Sequence, residues 1–210
     1  MKFEKSPGRP TITSYKGERG IEKRKEKKKH FRTTILSKGQ SDATIKRLKD
    51  RNAQLTTDCM IAVMQELVAQ STTTTSVPPD ATAQAIAGNK TIRKKIIGLT
   101  DFFFTHIFLI VHLPGHWVLC RWNTKDNLLE YYDSMLSMHP RVPAEVATLA
   151  DILEAKIVTA LDMPQQQDNV SCGVFALAFA ERLICNHRLC DNVDVADCRH
   201  RFTEMVKKRI

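Results

Sequence analysis

Gln165 to Phe175 read QQQDNVSCGVF. A polar run delivers one cysteine, Cys172, to the start of CGVFALAFAERLIC, a segment apolar nearly all round that predicts a central buried helix. A cysteine in such a place is ordinarily a small core residue, because free cysteines are among the most buried residue types. It becomes a nucleophile when a base, and a group that orients the base, stand beside it. Whether the rest of the chain supplies those two groups decides what Cys172 is for.

Upstream, FFFTHIFLIVHL from Phe102 to Leu113 is rich in aromatic and β-branched residues and predicts a strand buried on both faces. A turn at Pro114-Gly115 leads to a second strand, Trp117 to Trp122, and NTKDN turns the chain into a third, Leu128 to Tyr132, forming an antiparallel hairpin. PAEVATLADILEAK, Pro143 to Lys156, is an amphipathic helix opened by proline, and IVTALDM reads as a fourth strand. Nearer the N-terminus, Leu55, Cys59, Ile61, Val63, Met64, Leu67 and Val68 fall close to helical spacing, predicting a helix over 53–68 with Thr57 or Asp58 as its cap. STTTTSVPPD, Ser71 to Asp80, reads as a loop, and residues 81–98 as a short helix with a turn at Gly98.

His116 opens the second strand in PGHWVLC, and Asp133 ends the third in LLEYYDSM. Two antiparallel strands joined by a short hairpin bring these ends side by side, so a spacing of 17 residues sets an imidazole beside a carboxylate. Asp133 can accept from one ring nitrogen and fix the tautomer, while the other nitrogen faces a nucleophile. The first turn of a helix beside an imidazolium is where a thiolate is stabilised, so Cys172 fits that part. A glutamine shortly before it, together with the Cys172 backbone N–H, could donate to a developing oxyanion.

With those residues in place the sequence resembles the ubiquitin-like-protein proteases, the SUMO- or sentrin-specific family, over about residues 53–185. GHWVLCRWNTKDNLLEYYDSM is similar to its His-Trp strand followed by its Tyr-Asp-Ser strand, and PQQQDNVSCGVFALAFAE to its Gln-containing approach to an Asp-Cys-Gly-Val-Phe helix start. The resemblance implies His116 as base, Asp133 as its orienter, Cys172 as nucleophile and Gln166, six residues before the cysteine, as oxyanion donor, with Gln165 and Gln167 flanking it. It also implies Trp117 as one wall of a tunnel for the substrate's diglycine tail. Four positions depart from the pattern: Ser171 replaces Asp before the cysteine, Asp168-Asn169 replaces Asn-Gly, and Gln54 stands where many members have the tunnel's other tryptophan.

The remaining titratable groups read more simply. His106 and His112 alternate with apolar neighbours and are expected in the core or at a sheet edge, and Tyr131 and Tyr132 are expected only to pack. Cys185, His187, Cys190, Cys198 and His200 are admissible zinc ligands by type, but their spacing matches no compact pattern, and no metal or cofactor is expected. Six cysteines in 210 residues are too few for a disulfide scaffold and should be thiols.

A 42% hydrophobic content supports one globular domain. Charge is unevenly spread: residues 1–51 hold 17 Lys/Arg against 6 Asp/Glu, net +11, and residues 52–210 hold 15 against 17, net −2. Residues 1–50 therefore read as a disordered basic arm, and 51–210 as the catalytic domain. The run KRKEKKK, Lys23 to Lys29, and Gly8-Arg9-Pro10 suit nuclear import or weak nucleic-acid contact, or equally a solvated charge run. No run reaches the about 18 apolar residues of a membrane span, and MKFEKSPGRP lacks the apolar stretch of a signal peptide. The expectation is an intracellular monomer, in nucleus or cytoplasm, of α+β papain-like fold, cutting after the Gly-Gly tail of a ubiquitin-like modifier. A viral or mobile-element processing protease, an acyltransferase with the same triad and a non-catalytic binder are the alternatives.

Overall fold

The computed structural model describes residues 37–138 and 141–209. Its elements run in the order α1 (Lys38–Lys49), α2 (Thr57–Ala69), β1 (Thr74–Val77), α3 (Pro79–Ile86), α4 (Lys90–Ile97), a 3-10 turn (Gly98–Phe102), β2 (His106–Leu113), β3 (His116–Asn123), β4 (Leu128–Tyr132), α5 (Ala144–Leu153), β5 (Lys156–Thr159), α6 (Cys172–Ile184) and α7 (Val195–Lys207). The five strands form one sheet in chain order, β2, β3 and β4 antiparallel and the outer strands β1 and β5 parallel to their neighbours. The class is α+β, as the sequence predicts.

The β2–β3 hairpin closes with Leu113 opposite His116, leaving Pro114-Gly115 as a two-residue turn. Gly115 sits at φ 70°, a left-handed conformation that only glycine adopts without cost, and proline before it suits a type II turn. Helix α6 covers one face of the sheet, its Val174, Phe175 and Phe179 joining Phe108, Ile110, Leu119 and Tyr132 in one buried cluster. The first turn of α6 comes closest: a Cβ at Gly173 would lie 3.0 Å from Leu55 Cβ and 3.2 Å from Trp117 Cδ1. Helices α3 and α5 pack on the opposite side, against β2.

Several expectations change. TTSV within the predicted loop is strand β1, because its β-branched residues suit a pleated edge that pairs with β2, and Pro79 then opens α3. The single helix predicted over 81–98 is two, divided at Gly88 (φ 98°) and restarted by Asn89, whose side chain accepts from the N–H groups of Thr91 and Ile92. The first long strand begins at His106, after Phe103 turns the chain at φ 59°. Helix α5 and strand β5 are shorter than predicted, and α2 starts after Thr56.

The largest change concerns the arm. Its residues 38–49 are helix α1, so disorder through residue 50 does not hold; residues 1–36, with the basic run and Gly8-Arg9-Pro10, lie outside the described residues. Ser37 and Gln40 form a reciprocal capping box at the start of α1, and Lys46, Arg47 and Lys49 face the negative end of its dipole. Ser41, Thr44 and Leu48 are buried against α2 and α7. Arg199 of α7 completes the joint. It is 2% exposed, and its guanidinium donates to the carbonyls of Arg47 (3.3 Å), Leu48 (3.3 Å) and Ala53 (2.6 Å).

Replacing Arg199 with alanine would strand those carbonyls and loosen both α1 and the segment leading into α2. The expected loss is about 3 kcal/mol of unfolding free energy, measured by urea denaturation; a midpoint equal to wild type would show the joint to be unimportant.

Candidate active site

His116 is the first residue of β3 and Asp133 follows the last residue of β4. The register that pairs Leu119 with Tyr132 carries Asp133 to His116, Nε2 lying 2.7 Å from Oδ1. Both are buried, at 5% and 0% exposure. Asp133 Oδ1 also accepts the Met135 N–H at 2.8 Å, and Oδ2 accepts the Tyr131 hydroxyl at 2.7 Å. Burial opposes ionisation of Asp133, but these donors outweigh it and hold its carboxyl down at about 2.

Cys172 is the first residue of α6 and is 1% exposed. Burial disfavours the His116 imidazolium, yet hydrogen bonds and charge from Asp133 and Cys172 raise its pKa to about 9. With Nε2 engaged by Asp133, Nδ1 is the nitrogen left for the sulfur. The imidazole therefore lies between the carboxylate and the thiol.

The turn before α6 is held by Asp168. Its Oδ1 accepts from the N–H groups of Val170 (2.8 Å) and Ser171 (2.7 Å), and its Oδ2 from the Ser171 hydroxyl (2.7 Å). Despite some burial, these bonds keep Asp168 below the usual carboxylate range. The departure at Ser171 thus comes with a carboxylate three residues earlier that binds the same turn.

Three consecutive glutamines separate in space. Gln167 is exposed, and Gln165 lies partly buried with Nε2 3.3 Å from the Asp133 carbonyl. Gln166, 9% exposed, donates its main-chain N–H to the Ser134 carbonyl at 2.9 Å and accepts the Ser134 hydroxyl on Oε1 at 2.6 Å. Gln54 bridges the two walls of the site, its amide donating to the carbonyls of Asn169 (2.8 Å) and Gly115 (3.2 Å). Trp117 is 4% exposed; its indole N–H donates to Leu55 O at 2.9 Å, and its ring lies 4.2 Å from that of His112.

Two contributors, Tyr131 and Ser134, escape a reading of the sequence. Tyr131, expected only to pack, bonds the Asp133 carboxylate, a contact that its position two residues away on a strand could have signalled. Tyr132 bonds Glu130 Oε2 at 2.7 Å. Ser134 gave no local signal. Among the described residues no three His, Cys, Asp or Glu side chains converge as a metal-binding group, the C-terminal cysteines and histidines included.

Residues 23–210 match the model of the Ulp1 protease family, C-terminal catalytic domain. The chain belongs to that family. The match starts well before residue 51, in keeping with a folded α1. No curated protein matches the chain. Among solved structures, the SUMO protease Ulp1 with its catalytic cysteine oxidised to a sulfonic acid is similar, with a TM-score of 0.61 at 14% identity over 83% of this chain and 96% of that one. The Ulp1 domain in complex with Smt3, the yeast ortholog of SUMO, gives 0.60 at 15% over 81% and 94%. The Xanthomonas campestris effector XopD bound to ubiquitin gives 0.59 at 17% over 74% and 92%. These likenesses establish the fold, and the Ulp1 family match makes the chain a cysteine peptidase domain.

Because the His116 pKa rises from 6.5 to about 9, its interactions stabilise the fold below about pH 6.5, and that stability is lost as pH climbs through 9. Asp133 works oppositely, its contribution being lost as pH falls from 3.8 through about 2. In Asp133→Asn the imidazole keeps its burial but loses its principal partner. Its NMR titration midpoint should drop markedly, whereas an unmoved midpoint would deny that Asp133 charges His116.

Proposed function

We propose that the domain hydrolyses the bond after the C-terminal Gly-Gly of a ubiquitin-like modifier, SUMO or a close analogue, with Cys172 as nucleophile, His116 as base and acid, Asp133 as orienter and Gln166 as oxyanion donor. The carrying observation is the buried His116–Asp133 pair bonded to the thiol at the first turn of α6. The Cys172 sulfur attacks the Gly carbonyl carbon, and the oxygen takes up negative charge against the Gln166 amide and the Cys172 N–H. His116 passes a proton to the departing amine. Water then cleaves the thioester, with His116 taking the proton. Support for SUMO comes from similar folds that bind Smt3 or ubiquitin.

Trp117 adjoins His116 in the chain and reaches the first turn of α6 beside Gly173, so it is the residue proposed to flank the diglycine tail. No helix among the described residues is long and apolar enough to cross a membrane. An intracellular site of action, with import or nucleic-acid contact through Lys23 to Lys29, is the accompanying proposal.

SUMO bearing a C-terminal electrophile should label Cys172 alone among the six cysteines. Cys172→Ala should abolish labelling while leaving the fold intact, and His116→Ala or Asp133→Ala should slow it. Labelling of folded SUMO should far exceed that of a short peptide with the same Gly-Gly end. Equal labelling would instead assign a linear-peptide processing protease, and no labelling of an alkylatable thiol would assign a binder.

A further inference from the structure

We propose that Ser134 is a positioning residue for the oxyanion donor, clamping Gln166 by its side chain and its main chain so that the amide is held in one orientation with one N–H to spare. This rests on the reading of Gln166 given above. Ser134 directly follows Asp133 and is 2% exposed. Its hydroxyl donates to Gln166 Oε1 at 2.6 Å, and its carbonyl accepts the Gln166 N–H at 2.9 Å. On the other side, Gln166 Nε2 donates to the carbonyl of Asp168 at 2.6 Å.

The orientation of the amide follows from what each neighbour can do. A main-chain carbonyl only accepts, so the nitrogen must face Asp168; the oxygen then faces Ser134, whose hydroxyl must donate. Turning the amide end for end would set Oε1 against the Asp168 oxygen. An NH2 group carries two hydrogens and Asp168 takes one, which leaves the second for charge appearing on the substrate oxygen. Without the Ser134 hydroxyl, Oε1 would be buried and undonated, and the side chain would be released to other rotamers. The Asp-Ser pair at the end of β4 then serves both halves of the reaction, Asp133 setting the base and Ser134 the oxyanion donor.

The test compares turnover of SUMO-aminomethylcoumarin with alkylation of Cys172 by iodoacetamide. In alkylation the sulfur displaces iodide from carbon and no oxyanion forms, so the Gln166 amide is not needed. Ser134→Ala should lower kcat about tenfold with KM within about twofold, and leave the alkylation rate within about twofold. Gln166→Ala should lower kcat about a hundredfold or more. The double variant should match Gln166→Ala within about twofold, because a clamp has no effect once its object is gone. Wild-type turnover in Ser134→Ala, with Gln166→Ala impaired, overturns the clamp alone. Full turnover in Gln166→Ala overturns both the clamp and the reading of Gln166. Additive losses, or slowed alkylation in Ser134→Ala, would make Ser134 a general structural residue and also overturn the inference.

Discussion

The first turn of α6 lies so close to β3 and the segment leading into α2 that a Cβ at residue 173 would sit 3.0 Å from Leu55 Cβ and 3.2 Å from Trp117 Cδ1. Real Cβ contacts are rarely so short, so any larger residue here would have to push Leu55, Met60 or Trp117 aside by a few tenths of an ångström. Much else depends on it. At this contact Trp117 spends its indole N–H on the Leu55 carbonyl and turns Cδ1 to the helix. Cys172 is the residue immediately before the contact, and His116 the one immediately before Trp117. One close-packed contact thereby sets the distance between sulfur and imidazole, and packing at interior density resists displacement of either.

The electrostatics of the site give orientation more than stability. A buried ion pair gains from Coulomb attraction but loses hydration, and the two nearly offset. At Asp133 the loss is met by three donors, from His116, Tyr131 and Met135. Two of them bind Oδ1 and one Oδ2, so both oxygens are held and the carboxylate has little freedom to turn. That rigidity passes to the imidazole ring and fixes which nitrogen faces Cys172. The same segment, one residue on, engages Gln166 through the Ser134 hydroxyl and carbonyl, so the end of β4 anchors both the imidazole and that glutamine.

Two long-range links tie the beginning of the described chain to this centre. Arg199 fastens the end of α1 and the Ala53 carbonyl to α7, and Gln54, the next residue, bonds the carbonyls of Gly115 and Asn169. Those two carbonyls flank His116 and precede Cys172. Gln54 is thus a polar strut between the turn before β3 and the turn before α6.

Local pattern determined a good part of this protein. The hairpin strands, the buried helix α6 and the α5 amphipathic pattern follow from periodicity within short windows, and a short antiparallel hairpin obliges His116 and Asp133 to meet. Other features depend on partners far away in the chain. Strand β1 has only four residues and exists because β2, some 30 residues later, takes up its hydrogen bonds. Helix α1 looked like part of a charged tail because what buries its thin apolar face, Arg199 and α7 included, lies 150 residues on. Among three identical glutamines no sequence window could decide which is buried. The tertiary turn decided it, because only at Gln166 do the Ser134 hydroxyl and the Asp168 carbonyl stand on opposite sides of one amide.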